Sequence, residues 1–146
     1  MSRRMAVAAF AALALLACGD DAETPSDESL SGLWTATSWE YVNVENRSQR
    51  VDLIDAGGTA EININDTGGY FAQTQLPGEP VESFTGSWDY TSDTFTLFDD
   101  TGTTSWVFDL DLGNDRMTLS GADAEYDFDG DGIGEPAEWN MELERD

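Results

Sequence analysis

Asp127-Phe128-Asp129-Gly130-Asp131-Gly132 sets three carboxylates at alternate positions. Counting Asp127 as the first place, glycine falls at the sixth and Glu138 at the twelfth. Alternate side chains of a tightly turning loop point to one side, so their oxygens can converge on a single hard cation, and the glycine lets the chain reverse. Ile133, at the seventh place, needs to offer only its backbone carbonyl. Three features depart from a helix-flanked calcium loop. Gly134 stands where an apolar residue is usual, Pro136 interrupts the return, and the flanks Ala124-Glu125-Tyr126 and Trp139 onward read as strand. The pattern predicts an isolated, structural calcium site between two strands, its shell completed by Glu138 or Glu135. The plainer alternative is an Asp/Gly turn in an aspartate-rich chain.

Beyond this loop, absent residue types restrict the chemistry more than present ones. The 146 residues contain no histidine and a single cysteine, Cys18. A Ser-His-Asp triad and His-ligated zinc or iron are therefore excluded, and no disulfide can form within the chain. Carboxylates, tyrosines and hydroxyls remain. A carboxylate pair can hydrolyse a glycoside, but among 30 acidic residues pairs arise by chance. The expectation is a binding protein without catalytic residues.

The N-terminus carries an address. Arg3 and Arg4 precede thirteen almost wholly apolar residues, 5–17. A basic start, a short apolar stretch and small residues before the break make a secretory signal, and thirteen residues are too few for the roughly twenty that span a bilayer. Leu15-Leu16-Ala17-Cys18 resembles the lipobox of bacterial lipoproteins. The resemblance implies removal of residues 1–17, lipid on Cys18, and anchoring of the protein to a membrane of the cell envelope. It commits the lone thiol to lipid. Gly19, rather than aspartate, follows the cysteine, which in such lipoproteins implies an outer-membrane destination facing the periplasm or the surface.

Cleavage there leaves 129 residues, enough for one domain with a real core. They carry 30 acids against four arginines (Arg47, Arg50, Arg116, Arg145), a net charge of −26, with no lysine. Such a charge repels nucleic acid and anionic membrane surfaces, and favours solubility and divalent cations.

Residues 18–29, acidic and small, read as a tether between the lipid and a domain over 30–146. From Leu30 on, apolar residues alternate with polar ones, and no stretch sustains a helical period. Eight strands are predicted, over 32–44, 59–65, 70–76, 81–90, 94–98, 103–112, 116–120 and 137–145. Val51, Leu53 and Ile54, in the one long early connection, could form a helical turn or a lid. Short hairpin connections predict an all-β fold, an eight-stranded antiparallel up-and-down barrel. A two-sheet sandwich has the same alternation.

Gly32-Leu33-Trp34 resembles the Gly-x-Trp signature that opens lipocalin barrels, and GLWTATSWEY is similar to the opening of bacterial lipocalin-like lipoproteins. The resemblance implies that Trp34 closes one end of the barrel with an arginine of the last strand across it, a part that falls to Arg145. It also implies a small apolar or amphipathic ligand inside. Trp34, Ile62, Phe84, Trp88, Trp106, Phe108 and Trp139 are the candidate ligand-binding residues. The competing class is a solidly packed barrel that serves as a protein-interaction or inhibitor module. A cavity of a few hundred cubic ångströms separates the two.

Overall fold

In the computed structural model, residues 24–146 are described; the expected signal 1–17, the lipidation site Cys18 and the first part of the tether lie outside them. The described residues form β1 (Gly32–Asn43), β2 (Arg50–Asp52), β3 (Thr59–Ile64), β4 (Gly69–Gln75), β5 (Glu82–Tyr90), β6 (Thr94–Asp99), β7 (Ser105–Leu112), β8 (Arg116–Tyr126) and β9 (Glu135–Arg145). All paired strands are antiparallel. β1 and β3 to β9 follow one another as a meander, and β9 returns along β1 from Trp34↔Arg145 to Asn43↔Ala137. The result is a closed eight-stranded barrel, as expected, with one additional strand. Closure removes the unpaired edges that a sandwich would leave.

Alternation decides what faces inward. Ala60, Ile62 and Ile64 of β3 and Ala137, Trp139, Met141 and Leu143 of β9 are buried on one face of each strand. Fully burying one such aliphatic side chain contributes about 1.5–3 kcal/mol. In two strands the alternation breaks. β1 shifts register between Ala36 and Ser38, so the inward row passes from Trp34 and Ala36 to Trp39 and Tyr41. β8 shifts between Leu119 and Ala122, where Gly121 adopts φ 84°, a left-handed conformation that costs glycine little. Beyond that bulge β8 continues to Tyr126, six residues past the predicted strand end at Ser120.

The early connection opens with a short strand and then makes one helical-type turn, in which the Ala56 N–H donates to the Asp52 carbonyl (3.0 Å) and Leu53 and Ile54 pack against the core. Arg50–Asp52 forms β2, which pairs with Glu40–Val42 of β1, while β3 pairs with the earlier half of the same strand. The Asp52 carboxylate secures this arrangement. It accepts from Ser38 Oγ (2.6 Å) and the Trp39 N–H (3.2 Å) beside the β1 bulge, and from the Ile54 N–H (2.8 Å) in its own turn.

The tether's last residues are also ordered. Ser26 caps a single helical turn, α1 (Asp27–Leu30), and Leu30 is fully buried in the core. Trp34 Nε1 donates to the Leu30 carbonyl (2.8 Å), and the Arg145 guanidinium lies 4.4 Å from the Trp34 ring centre. Arg145 also donates to the carbonyls of Ser31 (3.0 Å) and Ser29. This end of the barrel is sealed.

The other end is splayed. β6 ends at Asp99 opposite Gly86, so residues 82–85 of β5 have no partner on that side. The β7–β8 ladder runs only over Asp109–Leu112 and Met117–Ser120. Gly86 marks the corner: a Cβ there would lie 1.8 Å from the Phe98 carbonyl oxygen, so only glycine allows the strands to approach.

Candidate ligand cavity and acidic loop

Where the strands part, the barrel holds a cavity of about 550 Å³, within the range of roughly 300–1,000 Å³ typical of small-molecule sites. Its walls come from the splayed ends: Trp39 and Tyr41 of β1, Phe84 of β5, Trp106 of β7, Ala124 of β8 and Trp139 of β9, with Ile62 and Tyr70 from β3 and β4. A second hollow of about 390 Å³ adjoins it, sharing Trp39, Tyr41, Phe84 and Glu125, and adding Glu79 and Glu82.

Trp139 organises the aromatic wall. Its ring centre is 5.0 Å from Trp39, 5.2 Å from Phe108, 5.8 Å from Trp106 and 5.9 Å from Tyr41. Contacts with Phe108 and Trp106 are edge-on, those with Tyr41 stacked, both geometries that the ring quadrupole favours. Tyr41 stacks in turn on Tyr126 at 4.8 Å, and Tyr126 meets Phe128 at 5.0 Å. Burial pushes the Tyr41 phenol above its usual pKa; the hydrogen bond from Trp39 Nε1 (3.3 Å) opposes this, and Tyr126 and Glu82 add to the rise. Tyr41 therefore stays neutral at physiological pH.

Of the seven residues expected to meet a ligand, four line the cavity: Ile62, Phe84, Trp106 and Trp139. Phe84 stands at the rim and is 44% exposed. Trp34, Trp88 and Phe108 do not line it. Trp34 belongs to the sealed end. Trp88 stacks on Phe95 (5.7 Å) and donates to the Asn65 carbonyl (2.9 Å), and Phe108 is buried against Trp139. Alternation reports which face a residue takes and not its height along the barrel, so core and cavity look alike in the pattern. Trp39 and Tyr41 escaped it because the β1 bulge reverses the inward face between them and Trp34.

The acidic loop joins β8 to β9 next to this aromatic stack. Carboxylate oxygens of Asp127, Asp129, Asp131 and Glu135 lie within 4.8 Å of one another. Glu138 is not among them. It projects from the outer face of β9, between the inward Ala137 and Trp139, and pairs with Arg47 at 2.8 Å. Backbone amides hold the cluster together. Asp127 accepts from the N–H groups of Gly130 (2.7 Å), Asp131 (3.1 Å) and Gly132 (2.8 Å), Asp131 accepts from Ile133 (2.8 Å), and Glu135 from Phe128 (2.8 Å). Gly130 and Gly132 take φ of 77° and 88°, so the glycine at the sixth place makes the sharp reversal read from the sequence. The Gly132 amide above all, then those of Gly130 and Asp131, hold the Asp127 carboxyl below the usual carboxylate range against the desolvation that would raise it.

No protein-family model matches the chain, and no curated protein matches it either.

Proposed function

We propose that this protein is a lipid-anchored envelope lipoprotein whose barrel binds a small apolar or amphipathic molecule, and that it is not an enzyme. The cavity at the splayed end carries the reading. A barrel that served only as a packed interaction module would have no reason to leave about 550 Å³ open behind an aromatic wall. An apolar fluorescent probe is expected to bind saturably at one site per chain and to quench tryptophan emission. Loss of all such binding across apolar and amphipathic ligands would favour the interaction module instead.

The anchor rests on Leu15-Leu16-Ala17-Cys18 and on the use of the chain's one cysteine at that place. Lipidation at Cys18 would bring several acyl chains, which hold a protein where one chain gives only marginal binding. Cys18→Ser should release the protein into the soluble fraction, and unchanged membrane association would overturn the assignment. With Gly19 following, the outer membrane is the proposed location.

The acidic loop fits calcium by its donor set: four hard carboxylates, each with lone pairs left over from its amide bonds. Asp127, Asp129, Asp131 and Glu135 would hold the ion, with Glu138 excluded by its pairing to Arg47. Its role would be structural, at an affinity of about 10⁻⁴–10⁻³ M as in extracellular modules. Saturating calcium should raise the melting temperature more than magnesium at matched ionic strength, because the folded loop alone binds it. An equal effect of both ions would leave an acidic turn.

A further inference from the structure

The charges around the cavity are all of one sign. Asp123 and Glu125 border the cavity itself, and Glu79 and Glu82 border the adjoining hollow. Glu82 lies on the same face of β5 as Phe84 and Trp88, and it is near enough to influence the Tyr41 phenol. Among the described residues no salt bridge reaches these groups. The chain has no lysine or histidine, and the four arginines among the described residues are committed elsewhere. Arg47 pairs with Glu138, Arg50 with Glu40 and Arg116 with Glu142, while Arg145 covers Trp34 at the sealed end.

We infer that the cavity selects an amphiphilic organic cation, an apolar or aromatic body carrying an amine or quaternary ammonium group; this rests on the cavity being a ligand site. The apolar body takes the place of water against Ile62, Ala72 and Leu97. The cationic head meets the carboxylates at the mouth and the partly uncovered ring of Trp106, whose quadrupole attracts a cation within about 6 Å. An anionic amphiphile such as a fatty acid fares worst. Its carboxylate would lose water without gaining a partner, in a field set by a chain of formal charge −24. The same field draws cations toward the mouth and speeds their encounter. A neutral ligand gains the apolar contact alone.

Three probes with one tail and different heads separate these terms: decyltrimethylammonium, decanol and decanoate, below micellar concentrations, titrated calorimetrically at physiological ionic strength. The ammonium is expected to bind at least about tenfold more tightly than decanol, and decanoate more weakly than both. Glu82→Gln with Glu125→Gln should cut the ammonium preference to about threefold or less and leave decanol unchanged. The unchanged decanol affinity shows that the variant is folded, and Glu82→Gln alone, at an exposed position, should give part of the loss. Decanol binding with no ammonium preference would overturn the charge selection and spare the cavity. A preference that survives the double substitution would assign it to the overall charge, and also overturn selection at the mouth. Failure of all three probes would remove the ligand site and the inference together.

Discussion

At the sealed end of the barrel, Trp34 is enclosed on every side. Its indole N–H is bonded to the Leu30 carbonyl, Arg145 lies over its ring, and α1 lays Leu30 into the core beside it. At the splayed end, Trp106 keeps one edge against Trp139 and is only partly buried, and Phe84 faces solvent across nearly half its surface. The two ends use the same residue types, yet the first covers its tryptophan completely and the second leaves Trp106 and Phe84 partly uncovered. What differs is strand pairing. Around Trp34 every strand has both neighbours, whereas at the other end the β5–β6 and β7–β8 ladders stop short. The unpaired ends of β5 and β7 leave Phe84 and Trp106 partly uncovered, and the cavity lies beside them.

Substitution of Trp34 should have the largest effect. Trp34→Ala removes a fully buried indole and leaves a cavity, and it strands Arg145 over empty space. A loss of about 3–5 kcal/mol is expected by chemical denaturation. A loss below about 1 kcal/mol would make the sealed end peripheral and erase the contrast. Trp106→Ala should behave oppositely. With partial burial and one edge-on aromatic contact, it should cost only about 1–2 kcal/mol of stability. It should nevertheless weaken probe binding at least about tenfold, a change of about 1.4 kcal/mol in binding free energy. Equal stability losses for the two tryptophans would mean that both ends are ordinary core.

Much of this contrast was legible in the residues. The period-two rows of β3, β5, β7 and β9 give the inward faces directly, whereas the end that closes is indicated only by the resemblance of Gly32-Leu33-Trp34 to a known barrel opening. The same resemblance matches Arg145 to Trp34, and the β1–β9 register sets the two opposite each other. Two bulges could not be read. Thr37 carries no turn signal, so the shift that brings Trp39 and Tyr41 inward is hidden in a run of strand-forming residues. Gly121 is a signal for a bulge, but in a stretch of Ser-Gly-Ala-Asp it reads equally as the end of a strand. β2 was missed because three residues are too few for periodicity. In the acidic loop the spacing identified Asp127, Asp129, Asp131 and Gly132, but Glu138 satisfied a count along the chain while its strand turned it outward.

Asp52 tests whether the splayed end depends on its extra strand. Its carboxylate is the joint between β2 and the β1 bulge. Burial pushes its pKa up, but the hydrogen bonds from Ser38, Trp39, Ile54 and Asp55 outweigh that and hold it below the usual range. Asp52→Ala should cost about 1 kcal/mol, the value of such bonds discounted for solvent screening. It should also free the β2 amides to hydrogen exchange while the amides around Trp34 stay protected. Equal loss of protection at both ends would show that the barrel opens as one unit.

The smallest effect expected is local, in the loop after β8. Asp127 is partly exposed, and its depressed pKa comes first from the Gly132 amide and then from those of Gly130 and Asp131. A group whose folded pKa is depressed stabilises the folded form above its unfolded value, about 3.9 for aspartate. That contribution fades only as the pH falls through the lower folded value. In calcium-free solution, the Asp127 carboxyl carbon and the amide shifts of Gly130, Asp131 and Gly132 should titrate together, with a midpoint below 3.9 by the ordinary aspartate scale. Signals from the Trp34 and Trp88 indoles should not move across that range, because no acid-sensitive group bonds to either donor. A midpoint at or above the ordinary aspartate value would mean that the amides do not converge on Asp127. The loop would then lack the fixed oxygens that a calcium ion requires.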